Sequence, residues 1–209
     1  GALSRGANDE FVHHIATAAR YVFFWSVPIS GLILALRAQI VRFILGSGQF
    51  DWTDTRLTAA VFAILSFSLV TQGLTLLLIR GYYAAGRTFV PFIVAAVSAL
   101  ATIGMAFIFA HLFSFSFVRE FFSAVFRVED VPGVRVLSLG LAYTVASLFS
   151  TAFLVWHFDR RFKGFIVLIS KTWWESCAAS LGAVIGAYSL LAYMGPIDVG
   201  STTLAVFVR

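Results

Sequence analysis

Long apolar runs alternate with short polar stretches throughout this sequence. Five runs reach the length of about 20 residues that an α-helix needs to cross about 30 Å of hydrocarbon. They cover residues 15–36, 57–79, part of 88–118, 136–158 and 176–197, and a sixth run begins at 202–208. The pattern predicts an all-α, polytopic bundle of transmembrane helices with five full spans and a truncated sixth. Because the last run stops after about half a span, we expect the chain to be a fragment of a longer protein.

Two further segments are amphipathic rather than uniformly apolar. Residues 119–128 carry phenylalanines on one side, flanked by Arg119, Glu120 and Arg127. Residues 162–174 combine aromatic and aliphatic side chains with Lys163 and Lys171. Both patterns are typical of a helix that lies in the headgroup plane, with an ordinary loop as the alternative.

Small polar residues recur along single faces of the apolar runs. Lipid cannot satisfy their hydrogen bonds, so they indicate either helix–helix contacts or the lining of a cavity. Contact between helices is the favoured interpretation, and for a cavity Gln72 is the best candidate because it is an amide at mid-membrane depth. The faces comprise Ser68, Thr71, Gln72 and Thr75 in the second run, Gly140, Thr144, Ser147 and Thr151 in the fourth, and Ala178, Gly182 and Gly186 in the fifth.

Charged residues are absent from the middles of the second to fifth runs. A coupling-ion site usually needs an intramembrane carboxylate, and a diphosphate pocket needs buried cations. The headgroup of an anionic lipid cargo would therefore bind mainly outside this chain. Arg20 and Arg80 lie at the membrane edge, where each acts as a snorkelling anchor or, alternatively, as a gate or headgroup contact.

Composition supports the membrane assignment, since 60% of the residues are hydrophobic and only 12% are charged. The net charge of +5 does not indicate nucleic acid as a partner, because the cations flank apolar runs instead of forming a basic stripe. The cluster of Arg160, Arg161 and Lys163 favours a cytoplasmic position for its end of the bundle, together with the N-terminal end and residues 80–87.

Few residues suggest covalent chemistry. Asp51 and Asp54 have the Asp-x-x-Asp spacing that membrane prenyl-diphosphate enzymes use to hold magnesium, but an aspartate there also caps the following helix. The four histidines are scattered, and Cys177, the only cysteine, is expected to be a packing residue. We therefore expect no enzyme activity, no metal and no cofactor.

A series of short motifs lies between about residues 3 and 92. The motifs read Leu-Ser-Arg at 3–5, Val-Pro-Ile-Ser-Gly-Leu at 27–32, Gly-Ser-Gly-Gln-Phe at 46–50, Asp54 with Thr58-Ala59, and Arg-Gly-Tyr-Tyr-Ala-Ala-Gly-Arg-Thr-Phe-Val-Pro at 80–91. This series resembles the MurJ/MviN family of lipid II flippases, within the multidrug/oligosaccharidyl-lipid/polysaccharide exporter superfamily. Two positions depart from the family pattern, because Arg87 replaces an Asp before Thr88 and Val90 replaces a Thr before Pro91.

The resemblance implies a fourteen-helix fold of two six-helix lobes and two C-terminal helices. Residues 1–165 would form helices nine to twelve of the second lobe, and residues 166–209 helix thirteen and the start of fourteen. The missing N-terminal lobe of the same chain would be a partner. The last two helices would form an apolar groove for a polyprenyl tail, with Leu190, Leu191, Gly182 and Gly186 as its candidates here.

The function implied by the resemblance is translocation of lipid II, a polyprenyl-diphosphate-linked peptidoglycan precursor, across the bacterial inner membrane by alternating access. This would place the chain in cell-wall biogenesis and the maintenance of cell shape. Three alternatives remain open. They are another polysaccharide-lipid or drug exporter of the superfamily, a membrane enzyme acting on polyprenyl phosphates, and a scaffold that binds cell-wall assembly partners without transporting.

Overall fold

The computed structural model describes residues 2–45, 51–129 and 131–194, and in these ranges it contains helices and no strand. Five helices are long and apolar enough to cross a bilayer, which confirms the predicted all-α bundle of spans. The helices are α1 (Ala2–Leu45), α2 (Trp52–Ala84), α3 (Phe89–Leu112), α4 (Ser116–Phe126), α5 (Leu137–Phe162) and α6 (Phe165–Met194), with a 3₁₀ turn, Val134–Val136, before α5.

The helices extend beyond the apolar runs at several ends. Residues 3–5, which resemble the end of a preceding helix, belong to the first turns of α1. The predicted in-plane helix or loop at 162–174 is wrong, because α6 begins at Phe165 and continues without a break through this segment. The short helix predicted at 119–128 is confirmed as α4, whereas the run at 202–208 lies outside the described residues.

Four pairs of long helices make most of the contacts in the bundle. α1 packs along both α2 and α6, and α5 packs along both α2 and α3. The contacts of α1 with α6 and of α2 with α5 join parallel helices, since an odd number of spans separates each pair, three for α1 and α6 and one for α2 and α5. Most of α3 and α6 is exposed, and Phe107 of α3 has 74% of its surface free. In a membrane such surfaces face acyl chains or other spans.

Two buried clusters hold the opposite ends of the bundle together. At the end carrying the α2–α3 and α5–α6 turns, the rings of Tyr82, Phe158 and Phe165 are fully buried, and Phe158 lies 5.0 Å from Phe165. At the other end, Phe113 and Phe122 stack with centroids 5.4 Å apart against the start of α5. This second cluster buries the inner face of α4.

The outer face of α4 carries Phe117, Phe121 and Val125, all of them more than half exposed. These residues follow each other at intervals of four and form one stripe of the helix. A helix with a buried inner face and an exposed aromatic stripe fits the predicted position in the headgroup plane. Arg56 at the start of α2 donates to the carbonyl oxygen of Arg127, which ties the end of α4 to the bundle.

Tight turns join the spans at the end that carries the basic cluster. After α2, the N–H groups of Gly86 and Arg87 donate to the carbonyl oxygens of Tyr83 and Tyr82, and Gly86 has a φ of +70°. This left-handed helix end favours glycine. After α5, the Asp159 carboxylate reaches across the turn and accepts from the Ile166 N–H at 2.9 Å, so one helix caps the next.

Candidate functional site

The polar faces predicted on α2 and α5 meet each other and form a hydrogen-bonded seam. The Thr71 hydroxyl donates to Ser147 Oγ at 3.2 Å, and the hydroxyls of Thr75 and Thr151 lie 2.8 Å apart. Thr144 and Thr151 also donate to the carbonyl oxygens of Ile64 and Thr71. The partners are always 76 or 80 residues apart, so the seam has one register along the whole contact. These hydroxyls therefore make contacts between helices, which is the interpretation favoured from the sequence.

We expect Thr151→Val to destabilise the protein, because Thr151 Oγ1 contacts Ser147, Thr71 and Thr75 while the change keeps the shape of the side chain. Hydrogen bonds between membrane helices contribute about 0.6 kcal/mol each and at most about 2 kcal/mol. The free energy of unfolding in detergent should fall by that amount. Thr17→Val is the matched control, since Thr17 bonds only to His13 of its own helix. Equal losses in the two variants would contradict a role for the seam.

Beside the seam, α2, α3 and α5 enclose a cavity of about 670 Å³, here called the polar cavity. Gln72 is exposed at this cavity and donates from Nε2 to Ser68 Oγ at 2.9 Å. Hydroxyls from all three helices line it, and among its described lining residues there is no charged side chain. The lining includes Thr71, Gln72, Thr75, Ser98, Thr102, Tyr143, Ser147, Ser150 and Thr151.

The four cavity candidates on α2 therefore occupy different positions. Gln72, Thr71 and Thr75 line the polar cavity, while Ser68 is 2% exposed and lies behind Gln72 as its hydrogen-bond acceptor. An amide surrounded by neutral hydroxyls can donate to and accept from uncharged polar groups, such as sugar hydroxyls or peptide amides. A contact of these residues with a cargo stays a prediction.

The two edge arginines have different surroundings. Arg20 donates from Nε and Nη2 to the carbonyl oxygen of Leu168 at 2.9 and 2.7 Å, and so links α1 to α6. Arg80 is exposed at the end of α2 and lines neither the polar cavity nor the groove described next. The contact of Arg20 is structural, and a gating or headgroup role for either residue stays a prediction.

A second cavity, of about 940 Å³, lies between α5 and α6 over a floor made by α1 and α2; we call it the apolar groove. α5 and α6 contact each other at the Phe158–Phe165 pair near their turn, and beyond it the groove separates them. Its walls are almost entirely hydrocarbon. The walls include Leu148, Ala152 and Val155 of α5 and Ile166, Ile169, Trp173, Cys177, Leu181 and Val184 of α6.

The apolar groove opens on the surface that faces acyl chains. Leu148, Trp174 and Leu181 line it with 47%, 72% and 65% of their surfaces exposed. The edge of Trp173 packs on Phe23 of the floor with ring centroids 5.0 Å apart. A hydrocarbon chain can therefore enter from the bilayer without crossing water. Sequence patterns missed this groove, because Trp173 and Trp174 fit a membrane-interface anchor equally well.

The groove candidates named from the sequence lie elsewhere on α6. Gly182 and Gly186 are exposed, and a Cβ built on either would meet no described atom within 4 Å. Leu190 and Leu191 stand near the end of the described part of α6 and are absent from the groove lining. Their contact with a polyprenyl tail stays a prediction.

The Asp51–Asp54 pair forms a capping box at the start of α2. Asp51 Oδ1 accepts from the Asp54 N–H at 2.8 Å, and Asp54 Oδ2 accepts from the Asp51 N–H at 3.3 Å. This reciprocal pattern satisfies two backbone donors of the helix end. Within the described residues, no group of three or more His, Cys, Asp and Glu side chains could hold a metal ion.

The apolar spans, the hydroxyl seam and the lipid-facing groove together are those of a multi-pass membrane protein. A family model described as Lipid II flippase MurJ matches residues 2–208. The chain belongs to this family, and it is a multi-pass protein of the bacterial inner membrane that acts in peptidoglycan biosynthesis. No curated protein and no solved structure gave a significant match.

Proposed function

We propose that this chain is part of a flippase that moves lipid II across the inner membrane, with the polyprenyl tail in the apolar groove. The cargo's headgroup crosses through a central cavity while its tail stays in hydrocarbon, and two lobes alternate in exposing that cavity to each side. The second lobe would be supplied by residues 1–165 and the C-terminal pair of helices would begin with residues 166–209. A further, N-terminal lobe of the same chain would complete the cavity.

The observation that carries this proposal is the shape and polarity of the apolar groove. A membrane-exposed cleft of about 940 Å³ with largely hydrocarbon walls offers room for a prenyl chain, and its described lining residues include no charged group that would bind a diphosphate. Because the tail would enter from hydrocarbon and not from water, its binding there would rest on van der Waals packing of isoprene units against these walls. The polar cavity on the other side of the α2–α5 seam carries the groups suited to an uncharged sugar or peptide.

The charge distribution supports the proposal that different parts of the full-length protein bind the headgroup and the tail of the cargo. Among the described residues that line the polar cavity and the apolar groove, none is an arginine, a lysine, an aspartate or a glutamate. Recognition of a diphosphate needs bidentate cations in a dry site. These cations would come from the N-terminal lobe, and this chain would supply the tail site and the hydroxyl surface.

The test uses the full-length protein reconstituted into vesicles that contain lipid II with a polyprenyl tail. We expect lipid II to appear in the outer leaflet at a rate that depends on the protein. The same protein, when it is expressed in a flippase-depleted strain, should restore growth. Growth without measurable transport would favour the scaffold alternative, and transport of a drug or another glycolipid in place of lipid II would favour the exporter alternative.

The enzyme alternative predicts that Asp51 holds a magnesium ion. We expect Asp51→Ala to cost about 1 kcal/mol of unfolding free energy through loss of the cap, while the transport rate of the folded protein is unchanged. Asp54→Ala removes only the longer of the two reciprocal bonds and should cost less. A magnesium-dependent cleavage of polyprenyl diphosphate that both substitutions abolish would replace the transport proposal by an enzymatic one.

A further inference from the structure

A small basic pocket of about 340 Å³ lies at the end of the bundle opposite α4. It is formed by the start of α1, the turn after α2 and the last turn of α5. Arg87 and Arg161 line it together with Asn8, and Phe11 and Phe162 provide an apolar side. We refer to this site, lined by Asn8, Phe11, Ala85, Arg87, Arg161 and Phe162, as the basic pocket.

The described lining of the basic pocket carries two positive charges and no carboxylate. The two acids of α1 that follow Asn8, Asp9 and Glu10, do not line the pocket. The Glu10 carboxylate lies 3.7 Å from His14 Nε2. Asp159, one turn before Phe162, accepts a hydrogen bond from the Ile166 N–H. Neither Arg87 nor Arg161 forms an ion pair with a described carboxylate, so the charges are available to an anion.

The position of the pocket along the membrane normal indicates the source of that anion. Its residues lie at or just beyond the ends of three spans, which begin at Asn8 and end at Ala84 and Phe162. In the pocket wall Phe11 packs on Phe162 with centroids 5.4 Å apart, and in the last turns of α5 Arg160 stacks on Trp156 at 4.2 Å. A tryptophan near the end of a span is typical of the boundary between acyl chains and headgroups. The pocket is therefore at the depth of the lipid phosphates.

We propose that the basic pocket binds the phosphate group of an anionic phospholipid, held between Arg87 and Arg161, with the Phe11 and Phe162 rings against the first methylenes of its acyl chains. Planar guanidinium groups bind phosphate oxygens through paired hydrogen bonds, and basic pockets between membrane helices select anionic lipid headgroups. The Arg87 N–H bond to the Tyr82 carbonyl oxygen at 2.9 Å fixes the backbone of Arg87 in the turn after α2. A bound phosphate would join three elements that are distant in sequence.

This site is separate from the polar cavity and the apolar groove, and it does not depend on which cargo the protein moves. Arg87 is also one of the two positions at which the sequence departs from the family pattern. The paired arginines are therefore a property of this chain that the proposed transport function does not require.

The test measures the thermal unfolding midpoint of the full-length protein in phosphatidylcholine nanodiscs with increasing fractions of phosphatidylglycerol. We expect the midpoint of the unmodified protein to rise with the anionic lipid. Arg87→Gln with Arg161→Gln should lower the apparent lipid affinity by about tenfold or more. Lys163→Gln, which removes a charge at the same membrane edge outside the pocket, should retain the response.

A second arm titrates inorganic phosphate into nanodiscs of phosphatidylcholine alone. A phosphate response that the double substitution abolishes, without a phosphatidylglycerol response, would make a free phosphate the ligand and overturn the lipid assignment. Arg87→Lys with Arg161→Lys keeps both charges and should give an intermediate lipid affinity, which also shows that the pocket still folds. Equal lipid responses in the glutamine variant and the unmodified protein, or equal losses in Lys163→Gln, would overturn the proposal.

Discussion

Ala152→Trp is expected to reduce lipid II transport by the full-length protein by about tenfold or more. Ala152 lies on the α5 wall of the apolar groove and is exposed to it, so an indole there occupies space that the proposed tail needs. The tail would be displaced into bilayer hydrocarbon, so the loss comes from its packing contacts with the groove, and about 1.4 kcal/mol of such contacts corresponds to a tenfold loss of affinity. The measurement is the rate of lipid II translocation in reconstituted vesicles.

Ala96→Trp is the matched control for this substitution. Ala96 is exposed on α3 and lines neither the apolar groove nor the polar cavity. Both variants add the same indole to a lipid-facing helix, so a general effect on insertion would appear in both. Unchanged transport by a folded Ala152→Trp protein would show that the tail does not occupy the groove.

Gly31→Leu is expected to separate α1 from α6 and to lower the free energy of unfolding by about 1–3 kcal/mol, the usual cost of overpacking. A Cβ on Gly31 would overlap Ser180 Oγ and lie 3.1 Å from Val184 Cγ2. Ser180 Oγ is fixed by its hydrogen bond to the Val27 carbonyl oxygen at 3.2 Å, so the hydroxyl cannot turn away without losing that bond. Denaturation in detergent, followed by circular dichroism, measures the change.

The control for this prediction is Gly104→Leu in α3, where an added Cβ meets nothing within 4 Å. Leucine favours a helix over glycine by almost 1 kcal/mol, so this variant should be neutral or slightly more stable. A loss of stability in both variants would mean that replacing a glycine destabilises these helices whether or not a neighbouring helix is close. An unchanged stability in Gly31→Leu would disprove the close contact of α1 with α6.

Sequence reasoning predicted the spans because hydropathy over 20 residues is a local property. It also identified the hydroxyls of α2 and α5 and favoured their role in helix contact, which the Thr75–Thr151 bond illustrates. It misplaced the start of the last span, because the segment 162–174, with Lys163 and Lys171 among aromatic residues, has the composition of an interfacial helix. The structure resolves this ambiguity through the Asp159 cap, because α6 begins after a turn of only two residues.

The sequence by itself determined that this chain lies in a membrane, which segments span it and which family it resembles, since each follows from residue types and their spacing. Only the tertiary structure decided which helices are neighbours. That choice brings Leu148 of α5 and Leu181 of α6 to opposite walls of one groove, and Arg87 and Arg161 to one pocket. The physical reason is that apolar helices in lipid all have similar hydropathy, so their pairing depends on close backbone approach at residues such as Gly31 and on hydroxyls that meet across a contact.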